Sequence, residues 1–475
     1  MNPIKKMAWA AVVLAAGCAT VDNAREAQRS VAPKGCDESA PGGEAFCLSA
    51  RSLEDLVGFA LTNRPSVVTA RLAVEDARLA LKALAADAPL ASGSPWTSPK
   101  LSLSADYSES SRGTTMSEHD FNTDGGPSAG LSLDVLVWDF GRYASAAAAQ
   151  RERVVAAELA LAEEGFRVFD DVSRAYFGFL EQSALAEVAL TNRFECAAHL
   201  ERADSLFEAG EAKRLDVLKA KHDLAAAREQ VVAASNAVKT AAVGLLQALG
   251  LEASRGRADD FAALGATALA NLRRAFPESS GGEREIGSLA LTNAPAVRIA
   301  RARLRASESD VDAAVADLLP RLSASVGLRW SDPLWMWNWG VGAVQSLFQG
   351  FAKTTAVDRR VVAMRIAAAE VDAATTALAG DVALAVAERD NAREAFATAR
   401  DSLAQAAENL RVVREEYEVG EADRVDYATA VSDYVAGLGS CVGAFYRGQR
   451  AEGAIFRLTG TYPTYREERV GDIVK

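Results

Sequence analysis

Histidine is nearly absent from this chain. His119, His199 and His222 are the only three in 475 residues, and none stands at the spacing of a metal-binding pair. There is no phosphate-binding loop, no GxSxG elbow and no CxxC. Ser102, Ser104, Ser323 and Ser325 alternate along extended stretches with no His/Asp partner close in sequence. Nucleotide hydrolysis, serine hydrolysis, thiol redox chemistry and zinc catalysis are therefore excluded, and no cofactor is expected. The five cysteines are scattered, too few for a disulfide scaffold or a metal cluster. Cys36 and Cys47, close together in a Gly/Pro-rich stretch, could pair if the chain is exported, while Cys196 and Cys441 fall in helical runs and read as core thiols. Lysine and arginine form no cluster with interleaved aromatics, and the net charge is −12, which argues against a nucleic-acid surface.

Long apolar runs are equally scarce. One, from Met7 to Ala16, follows Lys5-Lys6 and ends at Gly17-Cys18, giving residues 1–17 the form of an export signal. Leu14-Ala-Ala-Gly-Cys18 is similar to a bacterial lipobox, with its leucine one position further from the cysteine than usual. That likeness implies lipidation of Cys18 and makes 18–50 a lipidated tether. No later stretch approaches the roughly 20 apolar residues of a spanning helix, so if the mature chain crosses a membrane it does so as strands.

Proline is missing where it matters most. None occurs between Ser128 and Phe276, or between Leu334 and Tyr462. Those gaps hold the strongest pattern in the chain, a duplication: Phe207-Glu-Ala-Gly-Glu-Ala-Lys-Arg-Leu-Asp216 returns 210 residues later as Tyr417-Glu-Val-Gly-Glu-Ala-Asp-Arg-Val-Asp426. Ala60-Leu-Thr-Asn-Arg-Pro65 returns as Ala290-Leu-Thr-Asn-Ala-Pro295, and Pro99-Lys-Leu-Ser-Leu-Ser104 as Pro320-Arg-Leu-Ser-Ala-Ser325. The expected organisation is repeat 1 over 51–250 with a tip at 208–213, an equatorial linker over 251–284, repeat 2 over 285–462 with a tip at 418–423, and a tail over 463–475. Each repeat reads helix, strand, strand, long helix, so the fold is mainly α with a small β part.

The strands are expected at about 100–108, 129–138, 321–330 and 335–344. Leu101, Leu103, Ala105 and Tyr107 alternate with small polar residues, and the pattern recurs through Leu131, Leu133, Val135 and Val137, through Leu322 to Trp330, and through Trp335 to Ala343. Ten alternating residues suit a tilted membrane strand. Trp138, Trp330, Trp335, Trp337 and Trp339 stand in them, where an aromatic belt would be. A soluble sheet packed on one face explains the alternation equally well. Four strands cannot close a barrel alone and open edges are not viable in lipid, so insertion demands oligomerisation.

The long runs carry a heptad seam. From Val371 the 4,3,4,3 positions run to Tyr417 with only Thr375 and Arg389 polar, and a similar seam passes Val155, Leu159, Ala162, Phe166, Phe169, Tyr176 and Leu180. A run of 66 residues makes a rod of about 100 Å. Alanine on its other faces permits neighbours on both sides, as in a wall of helices, although a plain coiled-coil rod has the same periodicity.

Taken together, these motifs and their order resemble the TolC-like outer-membrane efflux protein family, from about Ser49 to Gly460. Val137-Trp-Asp-Phe-Gly-Arg142 is similar to that family's strand-to-helix exit, with Leu347-Phe-Gln-Gly-Phe-Ala-Lys353 as a looser partner. The resemblance implies a homotrimeric, lipid-anchored outer-membrane channel with a long periplasmic portion, in which a 12-stranded β-barrel continues into a long α-helical barrel. It would be a passive conduit of a tripartite efflux or secretion system. Its implied partners are a periplasmic adaptor (membrane fusion) protein, an inner-membrane transporter and outer-membrane lipid. Gly210 and Gly420 would mark tips that touch the adaptor. At the family's gate positions stand Tyr417, Asp426 and Asp216, but Ala422 replaces an arginine and Thr429 an aspartate. Arg424, or Arg214, is placed to substitute from a neighbouring position. Three copies of Asp216 and Asp426 would make the mouth negative and favour cations. The rival is a periplasmic coiled-coil structural or adaptor-like lipoprotein whose strands form a soluble domain.

Overall fold

A computed structural model describes residues 53–90, 100–111, 123–210, 213–251, 265, 268, 282–331, 334–345, 349–419 and 421–460. The signal, Cys18, Cys36, Cys47, most of the linker, Gly420 and the tail lie outside these, and of Arg424 only the backbone lies within them.

The elements come in two parallel series. The first is α1 (Leu53–Asn63), α2 (Pro65–Ala85), β1 (Lys100–Ser111), β2 (Thr123–Trp138), α3 (Arg142–Glu208) and α4 (Arg214–Ala248). The second is α5 (Glu283–Asn293), α6 (Pro295–Ala316), β3 (Arg321–Ser331), β4 (Leu334–Val344), α7 (Ala352–Val419) and α8 (Arg424–Thr459). Proline opens both α2 and α6, where a missing N–H costs nothing. Each long helix folds back along its successor, α3 on α4 and α7 on α8, while α6 packs on both long helices and α8 lies along α3.

The seam read from sequence holds throughout α7. Leu378, Val382, Ala385, Ala392 and Leu410 are buried and every other position on it is at least partly covered, Arg389 included. In α3 the expectation fails at Val155, which is exposed, while Ala156 and Leu161 are buried. Between Phe166 and Leu180 α3 buries a broader face, including Val168, Asp170, Val172 and Ser173, because α1, α4 and α8 all pack on this helix. A two-sided seam is too narrow for a helix with that many neighbours.

The four strands form one antiparallel sheet in the order β1-β2-β3-β4. Its register lines the expected residues into rows: Leu103, Leu131, Leu328 and Trp337 stand side by side, as do Leu101, Leu133, Val326 and Trp339. Ser102, Ser132, Gly327 and Asn338 make a row of the opposite parity. The apolar face is uncovered within the chain, with Leu101 67% and Trp337 72% exposed.

The first hairpin is longer than expected. β1 reaches Ser111 and β2 begins at Thr123, so five pairs, Tyr107↔Pro127 to Ser111↔Thr123, continue beyond the last β2–β3 pair. Side-chain alternation fades there into Gly125-Gly126-Pro127, yet backbone pairing does not require it. Pro127 is tolerated because that stretch of β2 has one open edge. A further departure is a bulge between Leu136 and Trp138: Leu136 pairs with Ser323 and Trp138 with Leu322, leaving Val137 as the extra residue. Strict alternation had aimed Val137 at the apolar side; the bulge gives that side Trp138 instead. Finally, α4 is long and apolar enough by length and composition to cross a membrane, contrary to the expectation that no such stretch exists. Its apolar character is largely alanine and valine, and it runs as the second arm of the α3–α4 hairpin.

Candidate functional site

Near their tips the two helical hairpins are joined by aromatic and charged side chains from three helices. Tyr417 stands two residues before the end of α7, Tyr427 in the first turn of α8, and His199 on α3. Their rings lie nearly parallel, with centroids 5.0 Å apart for Tyr417–Tyr427, 5.8 Å for His199–Tyr427 and 6.1 Å for His199–Tyr417. Offset parallel rings at these distances attract beyond their burial. Arg202, nearly one turn after His199, places its guanidinium 5.1 Å from the Tyr417 ring centre, within cation–π range.

Glu195, one turn before His199, receives the ends of both partner helices. Arg414 donates to one oxygen at 2.9 Å and the Tyr427 hydroxyl to the other at 3.1 Å. Burial first, then the Glu195 carboxylate, pushes the Tyr427 phenol above its ordinary value, so it stays protonated and donates. These groups surround a cavity of about 670 Å³ that also takes in Phe194, Glu201 and Leu206.

Among the described residues the clamp has no equal at the duplicated place. Leu200, Ala203, Val217 and Ala220 pack at the first tip, and 210 residues on stand Leu410, Val413, Tyr427 and Ala430 at the second. Tyr417 takes the place of Phe207, and Tyr427 that of Val217. At the second tip the Tyr427 hydroxyl reaches across to Glu195 of α3, where the first copy has the apolar Val217.

The other residues expected here are placed as follows. Asp216 is half-buried and accepts from the Lys213 N–H at 3.3 Å, closing the first turn of α4. Asp426 is exposed in the first turn of α8. Gly210 has φ +80° and ends the first hairpin's outgoing arm in the left-handed conformation that glycine tolerates. His199, Arg202, Glu195, Arg414 and Tyr427 were not singled out by sequence. The available signal was Tyr427, one residue past the duplicated motif, where the first copy has Val217.

At the opposite end of the rods a second charged cluster fixes the sheet to the helices. Asp317, just past α6, pairs with Arg321 at the start of β3, with Arg142 at the start of α3 (3.4 Å) and with Lys353 at the start of α7 (3.7 Å). Burial pushes its carboxyl up, but the Arg321 hydrogen bond and the charges of Lys353, Arg321 and Arg142 outweigh it and hold the group below its ordinary value. No group of metal-ligating side chains occurs among the described residues.

The family described as outer membrane efflux protein matches residues 56–251 and 286–461. No curated protein matches. Among solved structures, the outer membrane protein VceC of Vibrio cholerae is similar at 18% identity and a TM-score of 0.70, over 86% of this chain and 96% of that one. The CmeC outer membrane channel of Campylobacter jejuni is similar at 16% identity and a TM-score of 0.72, over 89% of each chain. A membrane protein from Pseudomonas aeruginosa reaches 21% identity and a TM-score of 0.72, over 86% of this chain and 90% of that one.

Proposed function

The chain belongs to the outer membrane efflux protein family, and from that premise we propose that it is the trimeric outer-membrane channel of a tripartite efflux or secretion system. One observation carries this reading: a four-stranded sheet with an uncovered apolar face and open edges at β1 and β4. In water such a face is an aggregation hazard, and in lipid open edges leave backbone groups unsatisfied. Three copies closing β1 on the neighbour's β4 remove both problems and give twelve strands. The alternative, a soluble coiled-coil lipoprotein, needs that face packed, and among the described residues nothing packs on it.

In the assembled channel the polar rows through Ser102, Ser132 and Asn338 line the lumen. The rods of α3, α4, α7 and α8 continue it through the periplasm. Trp330 and Trp335, paired at the β3–β4 turn, sit at the outer rim, with Trp337 on the row below. Trp138 sits at the opposite rim, and Trp339 lies mid-strand beside Val326, so the tryptophans mark two levels and a middle rather than one belt. Gly210 and Gly420 shape the tips that meet a periplasmic adaptor, which couples the duct to an inner-membrane pump. Cys18 carries the lipid anchor, and Cys36 and Cys47 pair in the tether. Tyr417, held by His199, Tyr427 and Arg202, governs the periplasmic mouth with Asp216, Asp426 and Arg424.

The reading is tested by extraction and by conductance. The mature protein should leave membranes only with detergent, run as a heat-dissociable trimer and give ion currents in planar bilayers. Release by salt washing as a monomer without currents would remove it.

A further inference from the structure

At the base of the sheet the chain encloses a second cavity, of about 390 Å³, between the end of α2, the start of α3 and the helix-side ends of the first three strands. The register sets its wall. On the polar face Asp134 pairs with Ser325, Leu136 pairs with Ser323, and Arg321 follows on the same side of β3. Arg321 thus stands four residues along β3 from the partner of Asp134, about 13 Å at 3.3 Å per residue, with Leu136 at the level between them. Leu84 of α2 lines the same space. A volume of this size holds a drug-sized ligand.

Acid and base stand at opposite ends of this wall, and neither end is fully compensated. Lys100 is the register partner of Asp134, yet its Nζ lies 2.8 Å from Asp87 instead. The exposed Asp134 carboxylate keeps, among the described residues, one hydrogen bond, from the Ser132 hydroxyl at 3.3 Å. At the other end Arg321, Arg142 and Lys353 converge on the single carboxylate of Asp317. Arg142 reaches it only at 3.4 Å, and the Arg142 and Arg321 side chains are 43% and 45% exposed. Asp139, the remaining acid of the lining, is buried and accepts from the Gly141 and Tyr143 N–H groups that open α3. One end therefore offers a carboxylate without a cation, the other a surplus of guanidinium, and apolar surface lies between. A singly charged ligand satisfies one end alone.

We propose that this cavity is a cargo subsite for zwitterionic amphiphiles whose two charges are held apart by an apolar body. The ammonium meets Asp134, the carboxylate meets Arg321 and Arg142, and the body lies on Leu136 and Leu84. Charge-assisted hydrogen bonds at both ends select for orientation and for the spacing of the charges, and burial of the body adds the apolar gain. The cargo role rests on the channel reading, since only a duct lined by the polar face carries solutes past Asp134.

The full-length protein in phospholipid nanodiscs is titrated calorimetrically with a rigid zwitterion, 4′-(aminomethyl)biphenyl-4-carboxylate, and with two singly charged comparators, biphenyl-4-carboxylate and biphenyl-4-ylmethylamine. The expected result is saturable binding of the zwitterion, one per chain, weakened about tenfold in Asp134→Asn and in Arg321→Gln, as the loss of one hydrogen bond to a charged group predicts. Asp134→Asn should leave binding of the carboxylate comparator unchanged, and Arg321→Gln that of the amine. Arg321→Gln also loses Asp317, so Asp134→Asn keeps the test standing should that variant fail to assemble. A zwitterion that does not saturate, that binds no more tightly than the comparators, or that binds Asp134→Asn equally well overturns the subsite. Planar-bilayer currents from the same protein keep the two readings apart. Currents with no zwitterion binding overturn the subsite alone, and zwitterion binding without currents overturns the channel reading and the cargo role with it.

Discussion

Tyr427 concentrates the residue-scale argument. Its ring stacks between helices and its hydroxyl ends on Glu195, so a single atom ties α8 to α3. Tyr427→Phe should cost about 1 kcal/mol, the net worth of one such bond. It should also speed amide exchange in the first turns of α8 while leaving Phe166 to Leu180 of α3 unchanged; equal exchange at both places would contradict the clamp. The phenol is raised above its ordinary value of 10.0, so it contributes fully below that pH and its contribution is lost as pH rises through the folded value. Alkaline loosening of the tips should therefore appear only above about pH 10 and vanish in Tyr427→Phe. Phe140 gives the opposite sign. Phe140→Gly relieves a left-handed backbone (φ 54°) and should stabilise the protein in detergent by about 1 kcal/mol, read as a higher midpoint of thermal unfolding. Tyr417 was named from the sequence because it stands at a gate position of the family that the chain resembles. Its partners were not, since Glu195 and Tyr427 lie 232 residues apart on rods from different repeats, and periodicity says which face of a rod is covered but not which rod covers it.

At the scale of elements, the heptad along α7 was readable because one stripe of side chains meets one set of neighbours. The broader burial of α3 was not, since three further helices crowd its middle. Strand parity was readable up to Leu136 and misread after it, because a bulge is a backbone event with no side-chain period. Charges set how these elements are pinned. Glu452 on α8 has a side chain only 2% exposed and accepts from Arg393 of α7 at 2.7 Å. Glu452→Ala leaves that arginine facing a buried void, at a cost of about 3 kcal/mol, measurable as a lower denaturation midpoint. Asp317 joins α3, β3 and α7 to the end of α6 from a position open to solvent, so Asp317→Asn should cost only about 1 kcal/mol after screening. With its folded value lowered, that contribution holds above the ordinary value of 3.8 and is lost as pH falls through the folded value. Wild type and variant should therefore converge only in strong acid; a difference that disappears by pH 5 would refute the network.

If the whole molecule is one third of a closed wall, as proposed above, its electrical behaviour follows from repetition. In a trimer Asp216 and Asp426 occur three times each at the narrow end, with Asp426 exposed. Six carboxylates around one mouth, in a chain of net charge −12, set a negative potential that raises local cation concentration. The family's arginine is Ala422 here, so at that position no cation offsets it. Asp216→Ala and Asp426→Ala should each lower cation preference, read as a reversal potential closer to zero across a salt gradient, and weaken block by multivalent cations. Asp426→Ala should act more cleanly, because Asp216 also closes the first turn of α4 and its loss frays that helix at a cost of about 1 kcal/mol. The effect should be largest below about 0.1 M salt, where the screening length exceeds about 10 Å, and nearly gone at about 1 M. Unchanged reversal potentials in both variants at low salt would mean that selectivity is set elsewhere, with the polar rows of the sheet the next place to look.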